Sequence, residues 1–229
     1  MKRKITHKIG VLLAFFLLLP VAAVQADCSD KRSPGMDWSG CKKTNKMLDE
    51  SNFSGSRFDN ANLTSSTLDE SNFTDASLVK ADLSRTRARH SQFQGADMTK
   101  AVGYRAEFDH STFLSAKLAK SEFSRASFKK AKIMNVDWSR SELGRTDFSN
   151  AELVNVKFEF SNLSRARFSG SHLQNVDFSG AYTFLTQFEN TDLSGVRSLR
   201  QDQLEMACGN EKTVIPESLI MPKNWPCQE

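Results

Sequence analysis

The chain has 229 residues, of which 39% are hydrophobic and 25% are charged, a composition ordinary for a domain with a real core. Its formal net charge of +4 arises within the first 26 residues, which hold four basic residues and no acidic one, so the remainder carries 27 residues of each sign. This balance excludes a strongly acidic DNA mimic and a polycation, because both depend on a large net field.

Residues 1–26 are predicted to be a cleaved secretory signal peptide. Basic residues up to Lys8 precede an apolar run from Ile9 to Val24, and Ala26 ends a stretch of small residues at a plausible cleavage site. The alternative is an uncleaved transmembrane helix, but Pro20 interrupts the run before the roughly 20 residues that a span needs. We therefore expect no membrane span in the mature chain and a periplasmic or secreted location.

A five-residue period governs residues 48–198. Positions 48 to 193, taken in steps of five, number 30, and 27 of them hold Leu, Phe, Met, Ile or Trp. The exceptions are Ala88, Gly103 and Thr183. Positions 51 to 196, also in steps of five, are all Ala, Ser, Thr or Val. Internal repetition of this kind indicates a solenoid built from short units.

The period excludes both a helix and a flat strand. A helix turns about 100° per residue, so a five-residue step would spread the large residues around every face. A flat strand would point alternate members to opposite sides, because five is odd. The pattern fits a five-residue unit that begins with a small residue pointing inward. A residue pointing outward and a large residue pointing inward follow, and the last two residues form a corner. Four such sides close one coil in about 20 residues, and coils spaced at about 4.8 Å give about seven and a half coils in a rod of roughly 36 Å.

The repeat unit resembles a known family. The segments Ala61–Ser65, Ala81–Arg85 and Thr191–Gly195 are similar to the A(D/N)Lxx unit of pentapeptide-repeat proteins. The resemblance implies an all-β fold, a right-handed quadrilateral β-helix over residues 48–198. We predict a local bulge at Gly103 and at Thr183 that turns the following aromatic residue inward.

Two segments outside the repeat are predicted to cap the ends of the β-helix, which otherwise expose unpaired strand edges. They are residues 27–47 and residues 199–229, and the second begins with a short α-helix predicted over Leu199 to Cys208, followed by an extended tail. Each cap holds two cysteines. A disulfide needs Cα atoms within about 7 Å, so only the pairs within a cap are possible, Cys28–Cys41 and Cys208–Cys227. Two disulfides are typical of an oxidising compartment.

Stacking the sequence in twenties places nine cations in two neighbouring corner columns, which we call the basic edge. One column is Arg85, Arg105, Arg125, Arg145 and Arg165, and the other is Lys80, Lys100, Lys120 and Arg140. Like charges on adjacent strands repel, so the arrangement costs stability unless something offsets it. Either Asp82, Glu122 and Glu142, which lie between the columns, neutralise it in part, or the edge binds a linear polyanion or an acidic partner.

Two other surface features are weaker candidates. His90 and His110 are 20 residues apart and are expected to stack at one corner, as a metal or pH-sensing site or, as the exposed position favours, as solvated surface. An outward apolar strip of Leu114, Met134 and Val154 is a second candidate contact surface. No catalytic constellation is found, so we predict no enzymatic activity and no cofactor or metal.

The preferred hypothesis is a non-enzymatic scaffold of the bacterial cell envelope whose basic edge meets an anionic envelope polymer or an acidic protein. Resemblance to the family supplies the alternative, because some members protect or inhibit DNA gyrase by imitating DNA. The export signal and the zero net charge of residues 27–229 disfavour such a topoisomerase-interacting role. No nucleic-acid partner is expected. We expect a monomer, with a dimer as the alternative.

Overall fold

The computed structural model describes residues 26–29 and 31–227, so the predicted signal peptide lies outside the described residues except for Ala26. Parallel bridges join residues 20 apart on all four sides of a coil, from Asp37–Arg57 to Asp177–Arg197. The 20-residue register predicted from the period is therefore the register of the backbone. On one side the bridges lengthen into a parallel sheet of order β1-β2-β3-β4, with strands β1 (Thr112–Leu114), β2 (Lys132–Met134), β3 (Glu152–Val154) and β4 (His172–Gln174).

Each coil turns its corners through residues with a positive φ. At one corner the amide of Thr86 donates to the carbonyl of Leu83 at 3.0 Å, and Arg85 between them has φ 56°. The bond and the sign of φ are those of a type II turn, which places its third residue in the left-handed region. The two corner residues therefore point outward and return the chain to the next side.

The interior is filled by the large residue of every repeat. Phe108, Phe128, Phe148, Phe168 and Phe188 are fully buried and form one ladder. Their successive ring centroids lie 5.0, 5.4, 5.0 and 5.5 Å apart. This ladder and its buried neighbours account for 13 of the 17 Phe residues of the chain. The small residues at the intervening inward positions leave room for these rings.

The parallel ladder begins before residue 48. Asp37 already pairs with Arg57, and Trp38 is buried like the large residue of a repeat. Gly40, two residues later, has φ 69°, which is the corner conformation. Residues 37–47 therefore follow the same backbone pattern as the repeats, although their side chains depart from the repeat.

The predicted bulges at Gly103 and Thr183 are wrong. The amide of Gly103 donates to Glu122 at 2.8 Å in the regular ladder, and Tyr104 is exposed. The ring of Phe123 fills the space that a side chain at 103 would occupy, so the core needs no residue turned inward. At Thr183 the hydroxyl donates to the carbonyl of Gln203 at 2.7 Å, and the next residue again remains on the surface.

Helix α1 (Gln201–Met206) lies on the last coil and is shorter than the predicted span of 199–208. It ends early because the amide of Cys208 donates to Thr186 at 2.7 Å and continues the parallel ladder instead. The buried side chain of Gln203 attaches the helix: its Nε2 donates to the carbonyls of Phe178 at 2.9 Å and Ala181 at 2.7 Å. Within the described residues, no helix has the length and hydrophobicity to cross a membrane.

Disulfides join Cys28 to Cys41 and Cys208 to Cys227, the two pairs predicted from the sequence. Their Cα atoms lie 5.5 and 5.4 Å apart. Cys41 occupies the small inward position of the repeat register and is buried. Each bond therefore ties a segment outside the regular repeat to one end of the coil.

Candidate functional site

The nine cations of the basic edge lie on two adjacent corners of the coil, and every one of these residues is exposed. The backbone fixes their spacing, because each amide donates to a carbonyl of the following coil. The amides of Arg125, Arg145 and Arg165, for example, donate at 2.9, 2.8 and 2.8 Å. At a strand spacing of about 4.8 Å, the five arginines span roughly 19 Å along the rod.

All nine residues occupy the left-handed corner position, with φ between 54° and 62° as at Lys80 (58°) and Arg145 (61°). This conformation favours Gly and Asn, since a Cβ crowds the backbone there. The corner that follows β2, β3 and β4 obeys the preference, with Asn135, Asn155 and Asn175. The basic edge instead carries long cationic side chains at positions where local conformation favours smaller residues.

The nine side chains have no carboxylate partner in the described part of the chain. Among the described residues, no Asp or Glu oxygen lies within 4.0 Å of any of the nine, and their side chains donate no hydrogen bond. Nine cations elsewhere on the described surface do form ion pairs: they are Arg57, Arg87, Arg89, Lys117, Lys129, Lys132, Arg167, Arg197 and Arg200. Pairing is thus absent at the edge although the protein uses it on other faces.

The carboxylates between the two columns do not neutralise the edge through ion pairs. Asp82 accepts the backbone amide of Ser84 at 2.9 Å, which holds its carboxylate over its own turn. Glu142 accepts Nδ2 of Asn162 from the next coil at 2.8 Å. Direct ion pairs with Asp82 and Glu142 therefore do not neutralise the basic edge, which was the first explanation that the sequence allowed.

One end of the arginine column opens into a groove of about 570 Å³ near the C-terminal disulfide. Its lining residues are Arg125, Arg145, Arg165, Arg167, Leu185, Gln187, Glu189, Cys208 and Cys227. Among the described residues, four guanidinium groups thus line one concave surface with a single carboxylate, that of Glu189. Arg167 is held by Nε donation to Gln187 at 3.1 Å, whereas the three column arginines lack an ion pair. Guanidinium groups bind carboxylate and phosphate in a two-point fashion, which suits such a surface to anions.

The histidine pair forms as predicted from the spacing. The rings of His90 and His110 stack with centroids 4.7 Å apart and planes 9° apart, at an exposed corner. Within residues 26–29 and 31–227, no three His, Cys, Asp or Glu residues come together as a metal would require. The geometry thus provides two imidazoles and no further ligand of those types.

The apolar strip lies at the ends of three strands, where Leu114, Met134 and Val154 are adjacent in register. All three are half-buried rather than exposed, and Gln174 follows them in β4. Their side chains therefore offer less contact surface than the sequence suggested.

Sequence reasoning missed an aromatic group at the C-terminal end of the face between the two basic columns. Phe160 continues the Lys80–Arg140 column, and Tyr182 and Phe184 lie between the columns on the last coil. All three are exposed. The alignment in twenties already places Phe160 in the Lys80–Arg140 column, but the bulge predicted at Thr183 turned Phe184 inward, so the three rings were not recognised as one exposed group.

This four-sided parallel coil, closed by small inward residues and large core residues, defines the class of protein as a β-helix built from five-residue repeats. The family model for pentapeptide repeats matches the chain with eight copies, over residues 48–85, 68–102 and 161–197. The five-residue units of this chain are thus pentapeptide repeats, and proteins built from them fold as a right-handed β-helix. A search of curated proteins gives no match.

Solved structures of the same family are similar to the chain at low sequence identity. Rfr23 from the cyanobacterium Cyanothece 51142 is 18% identical, with 37% of this chain and 58% of that chain covered and a TM-score of 0.37. QnrB1, a plasmid-mediated fluoroquinolone resistance protein, is 18% identical over 80% of this chain and 92% of that chain, with a TM-score of 0.46. HetL from the cyanobacterium Nostoc sp. strain PCC 7120 is 21% identical over 84% and 92%, with a TM-score of 0.32.

Proposed function

We propose that the protein is a non-enzymatic binding scaffold of the bacterial cell envelope, periplasmic or secreted, whose basic edge binds an anionic envelope polymer or an acidic protein surface. The observation that carries the proposal is the pairing pattern: nine exposed cations in two adjacent columns have no carboxylate of the described residues within 4.0 Å, whereas nine cations on other faces form ion pairs. Unpaired like charges in adjacent coils repel one another. A polyanion laid along the edge would relieve that repulsion and release its own counterions.

In this proposal the scaffold is rigid. The coils of residues 48–198 and the ladder of residues 37–47 that precedes them lie between two disulfides, Cys28–Cys41 and Cys208–Cys227. Rigid columns keep the cations at a fixed spacing, so binding does not have to order them first. The disulfides also support a location in an oxidising compartment.

The test is binding of residues 27–229 to polyphosphate and to an acidic polysaccharide at low and at moderate salt. Changing Arg105, Arg125 and Arg145 to Glu should reduce affinity by about tenfold or more, and binding by the unmodified chain should weaken as salt rises. A matched control changes Lys130, Lys157 and Lys212, exposed cations away from the edge, to Glu. Equal loss in both variants would show that net charge rather than the edge determines binding. Negligible binding by the unmodified chain would overturn the polymer form of the proposal and leave an acidic protein to be sought by capture from envelope extracts.

A further inference from the structure

The C-terminal end of the basic edge carries an aromatic platform, formed by Phe160, Tyr182 and Phe184, which are 64%, 49% and 39% exposed. Tyr182 and Phe184 flank the buried Thr183, so both side chains point outward from the same stretch of chain. Their rings are nearly parallel, 12° apart in plane with centroids 6.2 Å apart. Large aromatic residues left in solvent on one face mark a surface that binds something.

Phe160 is held on the surface against local preference. It has φ 54°, a left-handed conformation that is unusual for a bulky residue. Its ring lies over Gly180 of the next coil, where a Cβ would come within 2.6 Å of Cδ1 of the ring. The ring of Phe160 therefore occupies space that is free only because residue 180 is a glycine.

Rings and cations meet at Arg165, the last arginine of its column. Its guanidinium lies 5.6 Å from the centroid of Phe184, within range of a cation–π contact. The same arginine lines the groove with Arg125 and Arg145. A ligand that follows the arginine column to this end therefore passes from unpaired cations onto exposed aromatic faces.

We propose that the polymer bound by the basic edge is an acidic polysaccharide, whose sugar rings pack on the aromatic platform while its carboxylates meet the arginines. This rests on the proposed function and specifies its ligand. A sugar ring presents an apolar C–H face that an aromatic ring can cover, whereas a polyanion without rings leaves the platform unused. Bases of single-stranded nucleic acid also stack on aromatic rings, but the two disulfides support the proposed location in an oxidising compartment outside the cytoplasm, which disfavours a nucleic-acid ligand.

The test compares four probes on residues 27–229: an oligomer of galacturonic acid, polyphosphate of matched charge, a neutral oligosaccharide and a single-stranded DNA oligomer. The variant Tyr182→Ala/Phe184→Ala removes two rings of the platform. It should lower affinity for the galacturonate oligomer by about tenfold while leaving polyphosphate binding unchanged. Retained polyphosphate binding also shows that the variant is folded. The matched control, Met47→Ala/Ile220→Ala, removes exposed apolar side chains elsewhere and should change neither affinity.

The outcomes separate this inference from the proposed function. Tighter binding of galacturonate than of polyphosphate, lost in the platform variant, supports it. Equal binding of both polyanions, unaffected by the variant, overturns the polysaccharide inference and leaves the basic edge as a general polyanion site. Stronger binding of DNA that depends on the platform overturns it in favour of nucleic acid. Binding of no polyanion overturns this inference together with the polymer form of the proposed function.

Discussion

Asp69 shows how single side chains hold neighbouring coils together outside the basic edge. Its Oδ1 accepts the amide of Arg89 at 2.8 Å, and its Oδ2 accepts Nε of Arg87 and Nη2 of Arg89, both at 2.8 Å. Burial raises the pKa of Asp69, but the hydrogen bonds from Arg89 and Arg87 outweigh it, so the pKa lies below the ordinary value of 3.8. Arg87 and Arg89 are the paired counterparts of the unpaired cations at the edge.

Asp69 should therefore contribute to the loss of stability as the pH falls. Because the pKa is lowered in the folded state, the carboxylate stabilises the protein fully above the unfolded value and loses that effect as pH falls through the folded value. Asp69→Asn should lower the free energy of unfolding at pH 7 and narrow the difference between pH 7 and pH 3, as measured by urea denaturation. Glu217→Gln, an exposed carboxylate of the C-terminal tail, is the control. If the stability of the Asp69→Asn variant depended on pH in the same way as that of the unmodified chain, the lowered pKa assigned to Asp69 would be contradicted.

The Phe ladder should be the most sensitive part of the core at the level of one residue. Phe148 is fully buried and stacks between Phe128 and Phe168 at 5.4 and 5.0 Å. Phe148→Ala should cost about 3–5 kcal/mol of unfolding free energy, because the narrow coil cannot collapse around the cavity. Phe148→Leu keeps much of the volume and should cost less. Comparable losses in the two variants would show that ring stacking rather than volume determines stability there.

At the scale of elements, the C-terminal segment is an irregular end attached by a few specific contacts. Gln203 donates two hydrogen bonds to the last coil, Trp225 Nε1 donates to Ala207 at 2.7 Å, and a disulfide joins Cys208 to Cys227. The ladder loses its 20-residue step at this end, since Gln187 pairs with Cys208 and Asp192 pairs with Val214. These contacts replace the repeat where its sequence ends.

Removing the C-terminal disulfide should destabilise the protein measurably. Closing a loop of 19 residues stabilises a protein by about 3 kcal/mol on the chain-entropy model. Cys208→Ser/Cys227→Ser should lower the unfolding midpoint in guanidinium accordingly. Cys28→Ser/Cys41→Ser, with a separation of 13 residues, is the comparison at the other end and should have a similar effect. No change on removing either bond would contradict a stabilising role for both.

At the scale of the whole molecule, the two ends of the solenoid determine whether the protein remains a monomer. A parallel coil exposes unpaired amides and carbonyls at its last turn unless another element covers them. Helix α1 lies at that end, and its Leu204 is fully buried against the coil. Covering the edge favours a monomer.

Detaching the helix should therefore cause self-association. Leu204→Asp places a charge in an apolar contact and should expose the last coil, giving concentration-dependent oligomers by light scattering coupled to size exclusion. Glu205→Ala changes the exposed neighbour on the same helix and should leave the protein monomeric. A monomeric Leu204→Asp variant that retains its fold would show that the edge does not need the helix.

The sequence alone predicted the coil, its 20-residue register and the columns of surface residues, because a five-residue period without insertions makes every position locally determined. It also predicted both disulfide pairs, since only residues at the same end of a rod can meet. It failed at Gly103 and Thr183, where the outcome depends on what a residue in the next coil does. The ring of Phe123 fills the space beside Gly103, and the carbonyl of Gln203 accepts a hydrogen bond from the hydroxyl of Thr183. The tertiary structure alone decided which cations are paired and which aromatic rings stay exposed. Those properties depend on side chains brought together across coils, where distances of a few ångströms rather than sequence spacing determine whether a contact forms.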